Sequence, residues 1–235
     1  MATGNDAGVA PGADLYYIAG NLVGYFTPPS YVTSYYALVK SIDRVLEINK
    51  HLPEGKKIRV VSISKGFGLH EIGGRALKRA IDRANEAGVF VITCSPDRNF
   101  DFTYMGLGRE PLDDPDEVSS YMPGSWWVDN FYLYNDWYNS QNMLLVPMDS
   151  RTGACFTGEQ TYAFYRTGGL SWSAPWLAGM YALCAQVYPN ITPELFIRLA
   201  IETGDELKIT YENVEYTLKT IINPIRLIEI LETYL

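Results

Sequence analysis

The sequence predicts an α/β protein built on a parallel sheet with helices against both faces. Between Ile58 and Cys94 a compact apolar run, an amphipathic stretch and a second apolar run follow one another. That strand, helix, strand order needs a crossover connection and hence parallel strands. The runs IRVVSIS (58–64) and VFVITC (89–94) are short and continuous, as strands buried on both faces are. With 235 residues, 47% of them hydrophobic, the chain can bury a sizeable core as one domain spanning 1–235. Functional groups in such sheets collect beyond the C-terminal strand ends, which here means Ser64 to Gly66 and Ser95 to Asn99.

Taken in order, residues 13–19 (ADLYYIA) follow a Pro-Gly turn and read as a buried strand. A Gly/Pro-rich loop through Tyr25, Pro28 and Pro29 leads to an amphipathic helix marked by Tyr35, Leu38, Val39, Ile42, Val45 and Leu46, closing near Lys50 and His51. After the strand at 58–64 and the SKGFG loop, a helix runs from about Glu71 to Ala87, and Gly88 stops it. Residues 100–141 have little period. They read as a long surface excursion whose aromatics, among them Tyr121, Trp126, Trp127, Phe131 and Tyr138, pack the loop onto the body rather than line a groove. Short strands follow at Met143–Met148 and Thr161–Tyr165. Thr192, Pro193 and Glu194 open a helix that ends at Gly204. A hairpin over 206–220 turns at Glu212 and Asn213, and Pro224 begins a last helix.

The stretch Arg166 to Gly179 (RTGGLSWSAPWLAG) carries the strongest functional signal. Gly168 and Gly169 permit a sharp turn, and Pro175 suits a first helical turn. From Leu177 the positions Leu177, Met180, Tyr181, Cys184, Val187 and Tyr188 recur at helical spacing. Ser171 then stands at the mouth of a buried helix, where free N–H groups stabilise negative charge on a substrate oxygen. A serine there serves either as a nucleophile or, like Ser173, as an N-cap.

Composition narrows the field. A net charge of -8 argues against nucleic acid. There is no apolar run long enough to span a membrane and no secretory signal after Met1. A soluble chain is expected, with a cytoplasmic setting favoured over a secreted one. Cys94, Cys155 and Cys184 are odd in number and far apart, and read as reduced core residues rather than disulfide or metal ligands. Asp113, Asp114, Asp116 and Glu117 form an acidic loop. Pro115 interrupts it and it lacks EF-hand spacing, so it reads as exposed rather than as a calcium site. No cofactor is implied.

The motif GGLSWSAPWLAG resembles the serine motif of the subtilisin-like serine peptidases, usually written GTSMASPHVAG, with Ser171 in the nucleophile's place. GVAPGADLYYIA is similar to the segment after that family's histidine motif. VVSISKG is similar to the strand and loop beside the specificity pocket, and AGVFVITCSPD to the strand ending in the oxyanion asparagine. All four occur in family order. The resemblance implies a three-layer subtilisin-like fold and a serine endopeptidase, the peptide lying along Ser64, Lys65, Gly66, Ser95, Pro96 and Gly169.

Three departures follow from the resemblance. The aspartate and histidine that should precede the serine are missing. His51 ends a solvated helix and His70 follows the SKGFG loop, neither in an HGT-like context. An ungapped match puts Asp97 where the family has its oxyanion asparagine; an ionised aspartate only accepts, and Asn99 is the alternative donor. The family's aspartate strand would also lie between the strands resembled by residues 13–19 and 58–64. The sheet is therefore expected to lack its N-terminal strand and the histidine-bearing helix. It would present open edges that pair with an N-terminal segment of the same protein, a second copy or a partner chain. The alternative reading is a pseudopeptidase that binds peptide or protein without cutting it.

Overall fold

A computed structural model describes residues 2–4, 6–19, 23–25, 31–33 and 35–235. The chain is a mixed α/β protein. A short antiparallel pair, β1 (Val23–Tyr25) and β2 (Tyr31–Thr33), precedes α1 (Tyr36–His51), β3 (Val60–Ile63), α2 (Gly74–Glu86) and β4 (Phe90–Thr93). Then come β5 (Thr103–Arg109), β6 (Tyr121–Pro123), α3 (Val128–Leu133), α4 (Asn135–Ser140), β7 (Met143–Pro147), β8 (Arg151–Ala154) and β9 (Tyr162–Tyr165). The C-terminal part holds α5 (Leu170–Val187), α6 (Pro193–Glu202), β10 (Asp205–Tyr211), β11 (Val214–Ile221) and α7 (Pro224–Glu232).

The sheet differs from the expected three-layer parallel one. β3 and β4 pair in parallel, as the crossover through α2 requires, but they form a ladder of their own. The larger sheet runs β10-β11-β7-β5-β6 and is mixed: β5 and β7 are parallel, while the β10/β11 hairpin and β6 add antiparallel edges. α5 packs across β3, β4, β5 and β7 and so ties the two ladders together.

Period-2 alternation sorts the strand residues between cores. Phe90, Ile92, Tyr104, Leu144 and Val146 face α5, α6 and α7. Ile63, Val89 and Val91 face α1 and α2, against Ile42, Val45, Leu77 and Ile81. Leu107, Met143 and Leu145 face Trp127, Phe131 and the hairpin residues Leu218 and Ile221. Of the aromatics in 100–141, Tyr121, Trp127, Phe131, Tyr132 and Tyr138 pack the segment onto the body, with Tyr132 stacked on Tyr211 at 4.1 Å between ring centroids, whereas Trp126, Tyr134 and Trp137 stay about half exposed. The same segment also contains β5, an interior strand of the larger sheet, which is a correction to its reading as surface excursion.

Residues 13–19 are the second correction. No ladder takes them up: Leu15 is 69% exposed and Tyr17 85%. A strand is defined by its partner, and β4 is the partner of β3 among the described residues. The segment is tethered at its start, where Asp14 meets Lys56 at 3.1 Å. Just before it, Val9 lies over Gly179 of α5, where any side chain would collide with it. All three cysteines are free, yet only Cys184 is fully buried, and Cys155 lies at the β8/β9 turn rather than in a core. No helix among the described residues is long and apolar enough to cross a membrane.

Candidate active site

The N-terminus of α5 meets the C-terminal end of β3. Gly169 is the N-cap and offers no side-chain cap, so Ser171 falls in the first turn, where backbone N–H groups have no intrahelical acceptor. Neither serine caps the helix. Ser173 is buried and donates to the Pro147 carbonyl at 3.2 Å. The exposed Ser171 hydroxyl donates to the Ser64 carbonyl at 3.1 Å, and the Ser64 hydroxyl donates to the Ser171 carbonyl at 2.8 Å.

Pro175 explains the second bond. It lies inside α5 rather than in the first turn as expected, four residues after Ser171. Proline has no N–H, so the Ser171 carbonyl loses its helical partner. The Ser64 hydroxyl replaces that donor.

The turn ahead of Ser171 is fixed from below. Asp149, 9% exposed, accepts from the Gly168 N–H at 2.6 Å. Burial pushes its carboxyl above the ordinary aspartate range, and the Gly168 bond opposes that only in part. Gly168 is obligatory here, because a Cβ would stand 2.4 Å from the Met148 carbonyl oxygen. Gly169 has open space around it.

The SKG loop is held from behind. The buried Tyr35 hydroxyl lies 2.8 Å from the Glu71 carboxylate and 3.2 Å from the Gly66 carbonyl. Glu71 also accepts from the Gly68 N–H, which is the main cause of its lowered carboxyl pKa. Ser95 closes the other side: its hydroxyl accepts from the Phe67 N–H at 3.3 Å and sits where a Gly66 side chain would be. Lys65 spends its carbonyl on the Cys94 N–H at 3.2 Å. Ser64, Lys65, Gly66, Ser95, Gly169 and Ser171 thus gather in one region, with Pro96 buried beneath.

The other expected donors stand elsewhere. Asp97 is exposed and paired with Arg98 at 2.7 Å. Asn99 turns its amide to Asp82 of α2 at 3.0 Å, away from Ser171. His51 is exposed beside Glu47, and His70 is exposed; neither is a hydrogen-bond partner of Ser171.

One neighbour of Ser171 was missed by the sequence reading. Cys94, at the end of β4, has its thiol pushed up by burial, offset in part by the nearby Tyr104 and Ser171 hydroxyls and by the charge of Lys65. The Tyr104 and Ser171 hydroxyls themselves donate to the Thr93 and Ser64 carbonyls. The place of Cys94 at the C-terminal end of a parallel strand was the available signal. The acidic residues Asp113, Asp114, Asp116 and Glu117 are exposed, and among the described residues no three His, Cys, Asp or Glu side chains converge as metal ligands.

Comparison with known proteins agrees with this architecture. No family model matches the chain, and no curated protein matches it in sequence. Among solved structures, it is similar to one described as the structural basis of subtilase cytotoxin SubAB assembly, at 11% identity and a TM-score of 0.54, over 86% of this chain and 67% of that one. It is also similar to the self-cleaved protease domain of PatA, at 16% identity and a TM-score of 0.51, over 86% of this chain and 69% of that one. Against a PatG macrocyclase domain the figures are 16% and 0.48, over 84% of this chain and 51% of that one, so the chain spans about half of that relative's length. What is shared is the subtilisin-like fold.

Proposed function

We propose that this chain is the nucleophile-bearing part of a subtilisin-type serine endopeptidase, inactive by itself. The reading is carried by one observation: an exposed serine in the first turn of α5, hydrogen-bonded to the end of β3, in a subtilisin-like fold. Ser171 Oγ attacks the scissile carbonyl, and a histidine from outside residues 1–235 takes its proton and passes it to the leaving amine. Water then hydrolyses the acyl-enzyme by the same route. The Ser171 N–H, in the first helical turn, holds the oxyanion. An extended peptide or protein substrate lies along Ser64 to Gly66 through main-chain hydrogen bonds. No cofactor enters this chemistry.

A completing segment would cover surface this chain leaves exposed. β3 has β4 as its partner among the described residues, and Leu15, Tyr16, Tyr17 and Ile18 are exposed. An added strand from the same protein, a second copy or a partner chain would cover both.

A second reading, a pseudopeptidase that binds peptide without cutting it, is favoured by the closed Ser64/Ser171 pair and by Asn99 being committed to Asp82. A serine-directed fluorophosphonate probe separates the two. It is offered to the chain alone and to the chain with the segment encoded upstream of Met1. Labelling of Ser171 only in the second case supports the peptidase, and no labelling in either case rejects it.

A further inference from the structure

We propose that the cleft between α6 and the starts of β5 and β7 binds a polypeptide segment presenting an aromatic or large aliphatic side chain next to a basic one. The cleft encloses about 380 Å3, within the lower part of the range, roughly 300–1,000 Å3, that ligand sites occupy. Its floor is apolar: Phe100, Phe102, Ile197 and Ile201. Phe100 and Phe102 meet edge to face at 6.0 Å, and Phe100 rests on Phe90 at 5.3 Å, so the floor continues the main core and is held rigid. Water over such a floor is readily displaced by an apolar side chain.

The rim selects charge. Asp101, Glu194 and Glu202 contribute carboxylates against the single cation Arg198. Arg198 is already engaged, 3.6 Å from Glu202 and 3.5 Å from the Tyr234 hydroxyl. Asp101 and Glu194 have no ion-pair partner among the described residues, which leaves two free acceptors for an incoming ammonium or guanidinium. The cleft opens broadly to solvent, as suits a side chain carried on a longer backbone.

The site is separate from Ser171. β5 and β7 run in register from Thr103 and Met143 to Leu107 and Pro147, and α5 is anchored at the Pro147 end. The cleft lies at the other end, about 13 Å away along the strands at the usual rise per residue. Occupation of the cleft therefore stands or falls independently of the peptidase reading.

The test is binding of N-acetyl-Phe-Arg-amide and N-acetyl-Phe-Glu-amide to the whole chain, by calorimetry and amide chemical shifts. The basic peptide is expected to perturb Phe102, Ile197 and Ile201 and to bind about tenfold more tightly than the acidic one, the equivalent of two exposed ion pairs. The exposed double variant Asp101→Asn/Glu194→Gln should remove that preference while leaving the fold intact. Equal binding of the two peptides, no binding at millimolar concentration, a footprint elsewhere or an unchanged preference in the double variant would overturn the proposal. Phenethylammonium binding as tightly as the basic peptide would also overturn it, by assigning the cleft to a small amine.

Discussion

Ser64 and Ser171, 107 residues apart in sequence, each donate a hydroxyl to the other's carbonyl, at 2.8 and 3.1 Å. The pair joins the end of β3 to the first turn of α5 and fixes the Ser171 rotamer. It also occupies the Ser171 hydroxyl, because a hydroxyl that donates to a neutral carbonyl is not activated.

If the Ser64 hydroxyl substitutes for the N–H that Pro175 lacks, the two positions are coupled. Ser64→Ala should cost about 1 kcal/mol in the parent chain, the usual net worth of one hydrogen bond. In a Pro175→Ala background, where the helix regains its own donor, the cost should be clearly smaller. Urea denaturation of the four proteins measures the coupling. Equal costs would show that Pro175 is irrelevant to the bond.

Asp149 predicts a pH effect whose sign follows from its raised carboxyl pKa. The stability it contributes is fully present below the ordinary aspartate value, about 3.9, and is lost as pH rises through the raised folded value. Asp149→Asn keeps an acceptor for the Gly168 N–H and never ionises. The variant's stability relative to the parent should therefore improve between pH 3.5 and pH 7, as denaturation midpoints would show. A constant difference would mean that Asp149 titrates normally.

The two glycines ahead of Ser171 should respond differently. Gly168→Ala places a methyl 2.4 Å from a backbone oxygen and is expected to cost roughly 1–3 kcal/mol. Gly169→Ala, with nothing within 4 Å, should cost less, up to about 1 kcal/mol, because alanine is a poorer N-cap than glycine. Thermal unfolding of both variants makes the comparison.

Thiol reactivity should follow environment. The Cys155 pKa is lowered, first by the Thr157 hydroxyl, 3.2 Å from its sulfur, and further by neighbouring N–H groups. Cys94 is raised by burial, and Cys184 is pushed up to about 12. Titration with a disulfide reagent at neutral pH should show one fast thiol, at Cys155, slowed in Thr157→Val.

The readable parts of the fold are those where the local pattern coincides with the tertiary solution. The helical spacing from Tyr35 to Leu46 gives α1 because that stripe is what β3 and β4 need covered. Glu212 and Asn213 mark the β10/β11 turn because both adopt positive φ, which a short hairpin connection demands. β5 was hidden by Gly106 and Gly108, which weaken a strand pattern. Those glycines are there because Met148 fills the space beside Gly106, and Met122 and Asp149 the space beside Gly108. The apolar run at 13–19 reads as a strand, but pairing is a property of its surroundings and not of its own residues. At the candidate site, Ser64, Gly66 and Ser171 were legible from their motifs. The Cys94 thiol and the Asp149 brace were not, since both depend on which chain ends the sheet brings together.

The exposed apolar run at residues 13–19 has a practical outcome for anyone handling the protein. Leu15 is 69% exposed and Tyr17 85%, so concentrated preparations should stick to themselves and brighten dyes such as anilinonaphthalene sulfonate. Mixing in a strand that seats there should clear the solution and dim the dye together, which gives a simple optical assay for finding that strand.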